Sequence, residues 1–243
     1  MRRMIIAVSI IALSMDALAA KIMDKGLGWP GRTLAGNECF GGAVGFGPYD
    51  YSDPNSRKPG VYGPGAPLPI VERSHFTPEV EQLVRGSSHS DPNHDLDYTL
   101  RAFPNHYRAL WAMSRYYLRQ LDVAGYEALL ESERKHASPT PPECYFQRAA
   151  AFAPEDRMVS AIYGIYLHRR GKLDEALAQY HRAEEELPKN GELANNIGLL
   201  YLDRGEIEKA KEYAKKARAL GYPLSGLQRK IDREVSKVSE SNQ

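Results

Sequence analysis

Cys39 and Cys144 are the only cysteines of a 243-residue chain, and with seven histidines they are the side chains most able to do chemistry. A thiol can coordinate a metal, attack a carbonyl or pair with a second thiol. Coordination needs further Cys or His ligands at short spacing. Cys39 has none within ten residues, and Cys144 has only His136, eight residues before it. One local cluster has metal-ligand composition: His89, Asp91, His94 and Asp95 in the stretch GSSHSDPNHD. The same Ser, Asp, Pro and Asn density describes an exposed turn, and that is the expectation here. Asp50, Asp53 and His75 are candidate acids or bases, although Asp53-Pro54 also reads as a turn-starting pair. Residues 26–31 match G-x-G-x-x-G, but no strand precedes them and Pro30 breaks the helix start that a dinucleotide site requires. G-x-S-x-G, H-E-x-x-H, P-loop and C-x-x-C motifs are absent from the sequence. The expectation is a protein that is not an enzyme, with no catalytic residues, no metal and no cofactor. The alternatives are a secreted enzyme with its site in the N-terminal arm, or a metal-binding protein.

The meaning of the cysteines depends on compartment. Arg2 and Arg3, the apolar run Met4 to Met15 and the small-x-small triplet Ala17-Leu18-Ala19 have the three regions of a secretory signal peptide. Cleavage after Ala19 is expected, which predicts a periplasmic or secreted product with no integral membrane segment in the mature chain. In an oxidising compartment two lone cysteines pair, so a Cys39–Cys144 disulfide is expected, worth up to about 4 kcal/mol in the chain-entropy model. The 32 Lys and Arg balance 31 Asp and Glu. That balance gives no field to gather nucleic acid, so none is expected as a partner.

These groups must be positioned by two unlike stretches of chain. Residues 26–69 hold 11 Gly and 7 Pro, interleaved with Trp29, Phe40, Phe46, Tyr49, Tyr51 and Tyr62. An irregular arm over 20–76, pinned to the body by its aromatic rings, is the expectation. Thr77-Pro78-Glu79 then reads as the start of a short helix that stops by Gly86. From Asp95 onward the chain is helical and repetitive. Gly164, Gly171, Ala176 and Ala183 recur 34 residues later as Gly198, Gly205, Ala210 and Ala217. Each copy predicts a first helix (159–169; 193–203), a Gly turn and an Ala-bearing second helix (173–187; 207–220). Leu110, Met113 and Tyr117 with Phe146, Ala149 and Pro154 mark an upstream copy, interrupted within 120–142. Leu227, Ile231 and Val235 predict a terminal capping helix within 224–243.

This combination of Gly in the first helix, Ala in the second and a closing Pro at 188 resembles the tetratricopeptide repeat (TPR). Leu167 and Ala214 depart from its pattern, which favours larger residues there. The resemblance spans roughly 95–222 and implies an all-α, TPR-like helical-hairpin solenoid over 77–223. It also implies capture of a protein or peptide partner in a concave groove lined by first helices. The groove residues so implied are Arg108, Trp111 and Arg115, then Met158, Ala161 and Ile165, then Asn195, Asn196 and Leu199. The function expected is that of an exported scaffold or adaptor supporting an envelope assembly. Replacing Trp111 and Arg115 together by Ala is expected to weaken partner binding by more than about 2 kcal/mol and to leave melting unchanged. A second expectation lets the arm lie in its own groove, as a structural element.

Overall fold

The protein's structure, a computed structural model, describes residues 29–125 and 139–241, with Ala128 and Glu131 between them. The signal segment and the first three residues of the G-x-G-x-x-G match lie outside the described residues. Among those described, the fold is all-helical: α1 Pro67–His75, α2 Pro78–Glu81, α3 Pro92–Ala102, α4 Tyr107–Ala124, α5 Pro142–Phe152, α6 Arg157–Arg169, α7 Leu173–Glu186, α8 Gly191–Asp203, α9 Ile207–Ala219 and α10 Gly226–Ser241.

One turn, used three times, sets where second helices stop and first helices start. Phe103, Ala153 and Leu187 each leave the helical region and each precede a proline, which disfavours helical geometry in the residue before it. Two residues past each proline comes an N-cap, in turn His106, Asp156 and Asn190, whose side chain accepts a backbone N–H of the next helix. Within a pair the turn is different. Gly171 and Gly205 have φ of 70° and 77°, and the following N–H groups, Lys172 and Glu206, donate back to Leu167 and Tyr201 at 2.9 and 2.8 Å. A glycine closes such a turn without the Cβ clash that other residues suffer there.

The helix bounds of α6 and α7 recur 34 residues later in α8 and α9 to within one residue. Gly164 is required by contact: a Cβ there would lie 2.5 Å from the Tyr180 ring. Helices α4, α6, α8 and α10 each pack on the next in a row. Helix α6 is shared between two apolar cores, giving Val159 and Tyr166 to the one on the α4 side and Ala161 and Leu167 to the one on the α8 side.

Two boundaries differ from expectation. The region 20–76 is not irregular throughout, because it contains a 3-10 turn at Pro54–Arg57 and the nine-residue α1. Pro67 and Pro69 occupy the first turn of α1, where no intrahelical N–H bond is needed, so a proline-rich stretch still makes a helix. Leu68 and Val71 on its inner face are buried with Tyr51 and Phe103. Helix α4 is also longer than its counterparts, 18 residues against 13, and runs past Gln120 to Ala124.

The expected disulfide is present. Cys39 and Cys144 are joined with Cα atoms 5.3 Å apart, and both are buried. It is one of four fasteners between the arm and α5. Glu143 Oε1 accepts the Leu34 N–H at 2.7 Å; the Gln147 amide accepts the Arg32 N–H at 3.1 Å and donates to the Arg32 carbonyl at 2.7 Å; Trp29 meets Tyr145 edge-on, with the Arg148 guanidinium 4.7 Å from its ring centroid.

Candidate functional site

Met158, Ala161, Ile165 and Arg169 fall on one face of α6 at helical spacing, and across from them α8 presents Leu193 and Asn196. Between the two helices lies a niche of about 50 Å³. It is lined by the apolar Met158, Ala161, Ile162, Ile165 and Leu193 and by the polar Asn190, Glu192 and Asn196. Four of the nine residues expected to line a groove, Met158, Ala161, Ile165 and Asn196, therefore line this niche. The neighbouring Asn195 does not. One residue is 100° around a helix, so Asn195 faces the next helices along the row and lines a separate cavity with Ala214, Ala217 and Leu227. Leu199, one turn beyond Asn195 and Asn196, is half-buried against the α6–α10 core.

The α4 trio is drawn into a different arrangement. Arg108 forms a two-pronged pair with the Glu81 carboxylate, and its guanidinium lies 5.2 Å from the Phe76 ring centroid. The Glu81 hydrogen bonds hold the guanidinium pKa above its usual range. Arg115 donates through Nη2 to the Glu81 carbonyl, while its Nε is buried with no acceptor. Two arginines thus dock the single-turn helix α2 onto α4. Removing Arg115 would loosen that contact, so the expectation that the Trp111 and Arg115 double replacement leaves melting unchanged does not fit this arrangement. Trp111 is half-buried, with the Arg115 guanidinium 5.8 Å and the Arg169 guanidinium 5.1 Å from its ring centroid.

Arg169, outside the nine expected residues, connects the α4 trio with the niche face of α6 through its contact with Trp111. Extending the spacing of 158, 161 and 165 by one more turn reaches it, a signal present in the sequence. Beside it His168 Nε2 meets Asp203 Oδ2 at 2.8 Å, tying the ends of α6 and α8.

The alternative sites are absorbed into local structure. One oxygen of Asp50 accepts from Ser52 N, Ser52 Oγ and Asn105 Nδ2 at 2.7, 2.7 and 2.8 Å. Asp53 caps the 3-10 turn and accepts the Tyr62 hydroxyl at 2.5 Å, which lowers its pKa. His75 stacks on Tyr98 and bonds through Nδ1 to Asp95, whose other oxygen accepts the Ser87 N–H. Asp91 caps α3. The His89, Asp91, His94 and Asp95 set therefore does not converge, and among the described residues no group of three or more His, Cys, Asp or Glu side chains is placed to hold a metal.

A further polar knot sits at the α3–α4 turn. Buried Asn105 accepts the Tyr51 N–H at 2.9 Å and donates to both Asp50 and Asp156, so it spans the arm, α4 and the cap of α6. His106, fully buried beside it, accepts the Ala109 N–H on Nδ1 and faces Glu72 through Nε2 at 3.3 Å. Burial lowers its pKa, which keeps the ring neutral as a helix cap. These residues are structural, and their separations of 34 to 55 positions gave the sequence no pattern to show them.

The sequence matches no protein-family model and no curated protein.

Proposed function

We propose that the chain is an exported, TPR-type adaptor, not an enzyme, that binds an extended segment of a partner protein along the strip formed by α4, α6 and α8. The observation carrying this reading is the niche between α6 and α8, lined by five apolar and three polar side chains. A concave apolar site with a few polar groups at its edge is what side-chain recognition requires. The row of first helices and the thrice-used proline turn support the TPR-type repeat, whose first helices line the binding face. Export accords with the buried disulfide and with the lack, among the described residues, of a helix long and apolar enough to cross a membrane.

The arm serves the fold in this reading. Its hydrogen bonds go to α3, α5 and the α3–α4 turn, and its buried anchors, Cys39 and Tyr51, belong to the packed interior. Truncation to near Val71 should therefore collapse the N-terminal part and should not uncover a binding site.

Photo-crosslinking groups placed at Ile165 or Leu199, on the strip, and at Lys215, exposed on α9, test the reading in cells. Partner adducts from the first two and not the third support it. Equal yields from all three, or adducts from Lys215 alone, reject it.

A further inference from the structure

The strip is not uniform in charge. At the end of α6 nearest α4 the exposed Arg169 and the half-buried Arg115 flank Trp111, Arg115 being held by the Glu81 carbonyl and the nearby Asp203 carboxylate by His168. At the opposite end of the same face the niche opens beside the exposed Glu192. Between these ends α6 presents Ile165, Ala161 and Met158, with Asn196 of α8 beside them.

We propose, resting on the groove reading, that the occupant is an extended segment of mixed charge with a defined order: an acidic residue, a spacer, a small aliphatic residue, then an adjoining Lys or Arg. The acidic side chain seats on the Arg169 and Trp111 end, where a carboxylate meets the N–H groups of a guanidinium whose carbon lies 5.1 Å from the Trp111 ring centroid. The aliphatic side chain enters the niche, whose volume of about 50 Å³ suits a side chain of a few methyl groups. The basic residue faces Glu192. Asn196, which lines the niche, offers both a donor and an acceptor to the segment's backbone. Spacing follows from geometry. From Arg169 to Ala161 is eight residues of helix, about 12 Å at 1.5 Å rise. An extended chain covers that in about four residues at about 3.3 Å each. A purely acidic or purely basic segment matches one end of the strip and is repelled at the other.

The test uses the full chain with its disulfide intact and a synthetic array of 12-residue peptides. The array varies acidic, aliphatic and basic positions and their spacing independently, and fluorescence anisotropy measures the tightest binders. Wild type should select the acidic, spaced aliphatic, basic order and discriminate against the charge-reversed order by at least about tenfold. Arg169→Glu should abolish the acidic preference and Glu192→Lys the basic one. Both residues are exposed, so melting temperatures should stay unchanged. Ile165→Trp, which fills the niche mouth, should weaken all peptides. Peptides that bind without charge order and ignore both reversals, yet are blocked by Ile165→Trp, overturn the polarity and leave the groove reading standing. Binding indifferent to Ile165→Trp, or no binding by any peptide, overturns both.

Discussion

The two ends of the molecule are held together by different physics. From α6 to α9 stability comes from repetition: Ala176, Ala183, Ala210 and Ala217 bring helices close, Gly164 admits a tyrosine ring, and most contacts join helices adjacent in sequence. From Trp29 to α5 the helices share an apolar core of their own, and the arm is fastened to them by single long-range polar bonds and one disulfide, across separations up to 115 residues. A repeat distributes its stability over many equivalent contacts, whereas the arm concentrates it in a few. Damage to a fastener should therefore exceed damage to any one repeat contact.

The largest effect is expected from the disulfide. Replacing Cys39 and Cys144 by Ser should cost about 4 kcal/mol in denaturant unfolding, since the bridge closes a loop of 105 residues. Limited proteolysis should then cut the arm while leaving α6 to α9 protected. Equal sensitivity of both regions would erase the distinction.

Asn105→Ala comes next, at about 2–3 kcal/mol, because it leaves the buried Tyr51 N–H without its acceptor and unties Asp50 from Asp156. Gly164→Ala should cost about 1–2 kcal/mol. The new methyl meets the buried Tyr180 ring, which outweighs the gain in helix propensity. Gly198→Ala should cost less, since the nearest atom, at 2.4 Å, is the end of the Leu227 side chain, which can rotate. A reversed order of these two would mean that the Tyr180 side has the freer packing.

Glu143 sharpens the comparison through pH. Burial raises its carboxyl pKa in the folded protein, against the lowering effect of the Leu34 N–H and the Tyr166 hydroxyl. Folding thus favours the protonated form, and the stability this contributes is present below the unfolded pKa and lost as pH rises through the folded one. Glu143→Gln should remove that dependence, so its melting curve should rise less on acidification than that of wild type. Parallel pH profiles would show that Glu143 has the same pKa folded and unfolded. The smallest effect belongs to Asp174→Ala: although Asp174 pairs with Arg204, it is 86% exposed, and melting should be unchanged within error.

The expectations that held and those that did not divide along the same line. Helices α6 to α9 were readable because hydrophobic period, turn glycine and closing proline all recur at one interval, and each is a local signal. That Met158, Ala161 and Ile165 share one face of α6 followed from the same register. Assigning Asn195 and Asn196 to one site did not, because adjacent helical positions point 100° apart and only the packing of α8 between α6 and α10 shows which one faces the niche. Arg108 and Arg115 are engaged by α2, whose Glu81 carboxylate and carbonyl accept their N–H groups, a contact across 27 to 34 positions that local sequence does not show.

Taken alone, the sequence determined the helical repeat, its turns and the two cysteines left to pair, since these rest on backbone preference, periodicity and thiol chemistry. Tertiary structure decided the rest: that a proline-rich stretch closes as α1, that Asn105 knots three segments, and that Arg169 meets Trp111. Such contacts join residues tens of positions apart, where no local propensity acts and only the packed chain brings the side chains within reach.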